Sequence, residues 1–174
     1  IKMNKNKFGY KAALLVSTLF LLVGVFSNAH AAIVVNMEVS DDETELNITT
    51  HGTCSGTNVP RGCMKVTGKG QQINFNLIGD KSCSANADNE WMLESVVLSE
   101  EKGQVGISQV ASDDFGADME TGKITDPVTK NNRHMGVRDN NTEAYDVWYT
   151  VYAQCGSVKI STDPRIKNDG TGRD

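Results

Sequence analysis

The amino-acid sequence predicts an all-β fold, an antiparallel β-sandwich of seven or eight strands preceded by a short helical export segment. Three observations carry this. Beyond residue 31 apolar residues recur almost throughout with a period of two, the spacing of half-buried strands. These runs are short and return at intervals of about 8–15 residues, the rhythm of sandwiches and barrels. Helical character is confined to the N-terminal apolar stretch and to a turn or two elsewhere.

The first element is the export segment. Met3 reads as the start, followed by Lys5, Lys7 and Lys11 without an acidic residue, then by the uncharged run Ala12 to Phe26. Ala29-His30-Ala31 places small residues where a signal peptidase accepts them, so residues 1–31 read as a cleaved signal and Ala32 as the mature N-terminus. A retained anchor would need about 20 apolar residues, more than this run supplies. No cysteine near the cut offers a lipid acceptor, and no twin-arginine motif is present. The expectation is a periplasmic or secreted protein without a membrane anchor after cleavage, with one domain over 32–166 and a flexible tail at 167–174.

Processing changes the charge. The signal holds four of the 17 Lys and Arg and none of the 22 Asp and Glu, leaving 13 basic against 22 acidic residues, a net charge of −9 where the precursor carries −5. A nucleic-acid partner is disfavoured, because phosphate binding needs a basic face. The four cysteines, Cys54, Cys63, Cys83 and Cys155, all lie in the mature part and read as two disulfides. Of the three connectivities, Cys54–Cys63 and Cys83–Cys155 are favoured. The first would staple a loop whose Gly56, Pro60 and Gly62 mark turns, and the second would tie the middle of the chain to a late strand. No pair is Cys-x-x-Cys, and a zinc site would have to recruit His51 with Cys54 and Cys63 against the usual ligand spacing.

The strands follow in order. Val35, Met37 and Val39 alternate with polar residues; Leu46 and Ile48 resume after the turn at Asp41-Asp42-Glu43; Met64 and Val66 form a short piece. Ile73, Phe75 and Leu77 face inward. Trp91 to Leu98 carries apolar residues on both faces and reads as a central strand. Val105 to Val110 follows as another. Late in the chain Tyr145, Val147, Tyr149, Val151 and Ala153 share one face, with Asp146, Trp148, Thr150 and Tyr152 on the other; Val158 and Ile160 continue the pattern. The count suits an immunoglobulin-like sandwich, with a closed barrel as the alternative. Residues 112–141 are polar and read as a long loop, the place to look for a binding surface.

At the C-terminal end, Tyr145-x-Val147-x-Tyr149-x-Val151 followed by Asp163-Pro164-Arg165-Ile166-Lys167-Asn168 resembles the endings of small bacterial β-sandwich proteins that close on Tyr-x-Val repeats and Asp-Pro-x-Ile-x-Asn. The resemblance covers about the last thirty residues. It implies an immunoglobulin-like sandwich and brings no activity or catalytic residue with it. Read physically, Pro164 cannot donate to a ladder and holds Asp163 extended, which lets Ile166 close the end of the sandwich.

Motifs for chemistry are sparse. His51 and His134 are the only histidines of the mature chain, and no Gly-x-Ser-x-Gly elbow presents a serine. A Ser/His/Asp set would have to assemble from Ser108 or Ser112, His134 and Asp139. Paired carboxylates for a glycosidase are available by number alone. A blue-copper site fails because Cys155 is followed by no histidine. The acidic stretch from Ser112 to Asp126 fails the EF-hand spacing; Asp113, Asp114, Asp118 and Glu120 offer at most a loop-bound Ca²⁺, and no other cofactor is implied. Phe75, Trp91, Tyr145 and Tyr149 are expected in the core, leaving Trp148 and Tyr152 as carbohydrate or protein contacts, with Arg133, His134 and Arg138 as further contact residues in the polar loop. The sequence points to an exported, non-enzymatic binding module with an unknown protein or glycan partner. A surface-fibre subunit donating Ile33-Val34-Val35 to a neighbour and a small secreted hydrolase are the alternatives.

Overall fold

The computed structural model describes residues 31–169 other than 51, 56–58, 60, 80–81, 85 and 163–164. The export segment up to residue 30, His51 and residues 170–174 lie outside the described residues.

Alternation dictates the strands. β1 (Ile33–Val39) turns Val35, Met37 and Val39 into the core and Val34 and Glu38 to solvent. β2 (Leu46–Ile48), β3 (Met64–Val66) and β4 (Gln71–Leu77) do the same with Leu46 and Ile48, Met64 and Val66, and Ile73, Phe75 and Leu77. After a small β5 (Ser82–Cys83) and β6 (Asn86–Glu90) ladder come β7 (Met92–Ser99), α1 (Gln109–Phe115), β8 (Thr129–Asn131), β9 (His134–Asp139), β10 (Ala144–Cys155), β11 (Val158–Thr162) and β12 (Arg165–Asp169).

Two sheets of five strands face each other. One runs β2-β1-β4-β9-β8; the other runs β11-β10-β12-β3, with β7 on the opposite edge of β10. Their inner faces share one core in which Phe75 of β4 meets Tyr149 of β10 across the layers, ring centroids 5.2 Å apart and tilted by 58°. That arrangement is the expected β-sandwich. The pairing is mixed where the sequence suggested purely antiparallel, because β1 runs parallel to β4 and β3 parallel to β12. Alternation fixes which face a side chain takes and says nothing of strand direction. The chain leaves the first sheet after β2 and returns at β4, and a parallel neighbour needs such a crossover. Twelve strand segments are found among the described residues where seven or eight were expected, since several are only two or three residues long.

β10 organises the second sheet. Its partners β11 and β12 keep one register along it, Val151 opposite Thr162 and Val147 opposite Ile166, so the chain end forms one long hairpin. Cys155 pairs with Val158 and leaves Gly156-Ser157 as a two-residue turn, with Gly156 at φ 56° as such turns require. Ile166 is buried as expected, and β12 runs on to Asp169, so the tail is strand at 167–169.

Three further expectations are corrected. β7 is not central: β10 holds one edge, while among the described residues the other meets short bridges from Gly106 and Lys123 and the Asn132 carbonyl, which accepts from Leu93 (2.8 Å). Its apolar residues on both faces reflect a register shift opposite Tyr152 and Ala153, a bulge that lets Leu93 and Val96 both face inward. Residues 109–115 are helical, not strand. Ser108 caps the helix by accepting from the Ala111 amide, Gly116 ends it at φ 62°, and Ala111 and Phe115 bury one face at helical spacing. The 112–141 stretch is structured, since it holds most of α1, β8 and β9. Residues 122–124 lie along β7, where Leu98 donates to the Gly122 carbonyl (2.8 Å) and Ile124 to that of Val96 (3.0 Å). A Cβ on Gly122, at φ +67°, would sit 1.8 Å from the Leu98 carbonyl, so only glycine fits.

The disulfides are Cys54–Cys63 and Cys83–Cys155, the favoured pairing. Among the described residues no helix is long and apolar enough to cross a membrane.

Candidate functional site

The outer face of β10 carries the site best supported by side-chain chemistry. Strand geometry places Trp148, Thr150 and Tyr152 on one face, with Trp148 and Tyr152 about 13 Å apart by the rise of four residues. All three are half-buried, so each ring keeps part of its surface in water. Lys102 brings its ammonium over the Trp148 ring (5.7 Å to the centroid) and Lys159 over Tyr152 (5.6 Å). Lys159 also binds the Glu94 carboxylate through both oxygens, at 2.8 and 2.7 Å. The row continues along β10 to Gln154, which lines a cleft of about 350 Å³ with Met92, Lys130, Asn131 and Asn132. Ser95 and Ser99 stand opposite Tyr152 and Trp148 on β7. Two aromatic faces are thus set among hydroxyls, amides and an ion pair.

The other candidates are dispersed. Arg133 is a structural clamp: its Nε donates to the Leu77 carbonyl (3.0 Å) and its guanidinium also donates to the Gly79 carbonyl, closing the end of β4. Arg138 is exposed on β9 and lines a separate hollow with Asp113, Asp126 and Asn140. His134 sits on the outer face of the first sheet, its Nε2 2.9 Å from Thr129 Oγ1 and its Nδ1 2.6 Å from Asn76 Oδ1. Asn76 Nδ2 in turn donates to Asn36 Oδ1 at 3.1 Å, giving a polar row across four strands. The chain Thr129–His134–Asn76 has the connectivity of a hydroxyl–imidazole–amide relay. It lies on an open face, and a side-chain amide beside it, Gln72 Nε2, already donates to Asn74 Oδ1 (2.7 Å). It therefore reads as cross-strand pairing. The Ser/His/Asp set does not assemble. Ser108 is a helix cap, Ser112 Oγ donates to the Ala117 carbonyl (2.6 Å), and Asp139 is buried on the opposite face of β9 from His134.

The acidic residues expected to share a Ca²⁺ are likewise separated. Asp114 is buried and accepts from the Thr142 amide (3.0 Å), the Thr142 hydroxyl (2.8 Å) and the Tyr145 hydroxyl (2.8 Å). Asp113 accepts from Gln109 at 2.7 Å. Asp118 closes a turn by accepting from the hydroxyl and amide of Thr121, which hold its carboxyl below the usual range. Glu120 is exposed. Among the described residues no three His, Cys, Asp or Glu side chains are grouped to hold a metal.

One feature has no clear sequence signal. β2 pairs with β1 from Met37 to Val39, and Thr49 and Thr50 continue the contact to Asn36. Gly52 to Cys54 lie beside β3, where the Cys54 amide donates to Cys63 (3.4 Å) and that of Lys65 to Thr53 Oγ1 (2.7 Å). This leaves an apolar groove of about 320 Å³ between the start of β1 and Met64. Only the shortness of the Leu46–Ile48 run hinted at it.

The chain matches no protein-family model, and comparison with curated proteins returns no match.

Proposed function

We propose that this chain is an exported, non-enzymatic binding module that holds a glycan along the Trp148–Tyr152 face. The carrying observation is the pair of half-exposed aromatic rings on one strand face with Thr150 between them and lysines beside them. Rings offer flat apolar surface to the C–H faces of sugars, while hydroxyl, amide and ammonium groups meet the sugar hydroxyls. A protein-contact core would be more apolar. The surroundings here are Gln154, Glu94, the lysines and the buried Ser95 and Ser99, with Met92 as the one exposed large apolar side chain beside the row; Val34, Ile78, Val105, Met119 and Val128 lie on other elements. Two disulfides support an oxidising, extracytoplasmic destination, in keeping with the signal-like N-terminus.

Affinity electrophoresis against laminarin, mannan, dextran and alginate tests this. Retardation by at least one polysaccharide is expected, with Trp148→Ala and Tyr152→Ala each weakening it about tenfold, the worth of one lost stacking contact. Arg133→Lys should leave retardation unchanged. Retardation that survives both aromatic substitutions, or none with any of the four, overturns the reading.

A further inference from the structure

Building on the glycan reading of the Trp148–Tyr152 face, we infer that this site takes a chain of several sugars and selects for length, because its bed runs past Tyr152 into the cleft between β7 and the β8–β9 hairpin. Trp148, Tyr152 and Gln154 stand on the outer face of β10, half-buried. Six residues of strand separate the first from the last, about 20 Å. No disaccharide spans that distance. Sugars stacked on Trp148 and on Tyr152 are therefore separate units of one chain, and the same chain reaches Gln154. Between Tyr152 and Gln154 an ion pair crosses the strand: Lys159, opposite Gln154 on β11 and over the Tyr152 ring, reaches Glu94 on β7 (2.7 Å). The Lys159 side chain is 49% exposed, so its ammonium has donors left for a sugar hydroxyl passing over it.

Beyond that pair lies Met92, opposite Gln154 on β7 and 40% exposed. The hairpin is fastened to the far edge of β7, where the Leu93 amide donates to the Asn132 carbonyl (2.8 Å) and Lys130 Nζ to the Glu94 carbonyl (2.9 Å). Met92 thus floors a cleft whose two walls are tied together, with Asn131, Asn132 and Gln154 at its rim. Two of these amides are held in place by one bond each. Gln154 Nε2 donates to the Gly156 carbonyl (2.8 Å), which leaves its Oε1 to accept; Asn131 Oδ1 accepts from the Arg133 amide (2.9 Å), which leaves its Nδ2 to donate. The Asn132 side chain is exposed, and the bond this residue gives to β7 is its backbone's. An apolar floor with positioned donors and acceptors at its rim fits the C–H face and the hydroxyls of a further sugar.

The test is nuclear magnetic resonance titration of the ¹⁵N-labelled protein with disaccharides and hexasaccharides prepared from laminarin, mannan, dextran and alginate. For at least one glycan the hexasaccharide is expected to bind at least tenfold tighter than its disaccharide, through the added contacts in the cleft, and to move the Trp148 indole and the Asn131 and Asn132 side-chain amide resonances together. Met92→Ala and Asn132→Ala should each remove most of that tenfold difference and leave the affinity for the disaccharide unchanged. Both side chains are exposed, so both variants should keep the wild-type melting temperature. Trp148→Ala should weaken the disaccharide and the hexasaccharide alike. Equal affinity for the two lengths, or a hexasaccharide affinity that both Met92→Ala and Asn132→Ala leave unchanged, overturns the inference while a responding Trp148 keeps the glycan reading in place. A Trp148 resonance that no probe moves overturns the glycan reading itself, and the inference with it.

Discussion

Tyr149→Phe gives a sharp check on the core, because it removes one oxygen and nothing else. Tyr149 is fully buried against Phe75, and its hydroxyl donates to the Gly62 carbonyl at 2.8 Å. Losing that bond leaves a buried carbonyl without a donor, which costs about 1 to 2 kcal/mol at neutral pH. Burial also pushes the Tyr149 phenol well above its ordinary value of 10.0. Below that pH both states are protonated and the group adds no pH dependence. Above it the unfolded chain releases the proton while the buried phenol keeps it, so the unfolded state binds fewer protons and stability falls as pH rises. At pH 11, about one unit above the unfolded value, this costs the wild type on the order of 1 kcal/mol, and the phenylalanine variant is spared it. The deficit of Tyr149→Phe, measured by urea unfolding with tryptophan fluorescence under non-reducing conditions, should therefore shrink by about that amount between pH 7 and pH 11. All other tyrosines and lysines are common to both proteins and cancel. A deficit that is the same at both pH values would refute the burial argument.

Two further outcomes follow from the same packing. Replacing Cys83 and Cys155 by serine should cost more than replacing Cys54 and Cys63, about 4 against about 3 kcal/mol from loop closure over separations of 72 and 9 residues; chemical denaturation of the two double variants checks the order. Asp114→Asn should destabilise by about 1 to 3 kcal/mol, because Thr142 and Tyr145 lose a charged acceptor, and the melting shift should be identical with Ca²⁺ and with EDTA, since this carboxylate is spent on the fold.

How much of this was readable beforehand depends on the range of the interaction. The strands at 35–39, 73–77 and 145–153 were legible because a period of two is a local property, and the disulfides because a ten-residue, glycine-marked loop and a long tie suit an exported chain. Trp148 and Tyr152 could be placed on the outer face for the same reason. What failed was non-local. The helix at 109–115 hides in a run too short to display its period, although Ser108 and Gly116 were fitting caps. The parallel pairing of β1 with β4 depends on a crossover that no single segment encodes. The candidate Ca²⁺ residues are neighbours in sequence, yet Asp114 turns inward to Thr142 and Tyr145 while Asp118 turns to Thr121. Arg133 looked like a contact residue and proved to be a strand-end clamp, because its partners are carbonyls more than fifty residues away. The groove between the start of β1 and Met64 brings together segments distant in sequence, a matter of path and not of composition.

The central claim rests on one indole. The protein has two tryptophans. Trp91 is buried, its N–H without a hydrogen-bond partner among the described residues, and Trp148 lies on the proposed glycan face. Their indole N–H resonances in a ¹⁵N-labelled sample, followed while laminarin, mannan, dextran and alginate are added in turn, report directly on the site. If this face binds glycan, at least one polysaccharide moves the Trp148 resonance saturably and leaves that of Trp91 in place. A Trp148 resonance unmoved by all four would contradict it.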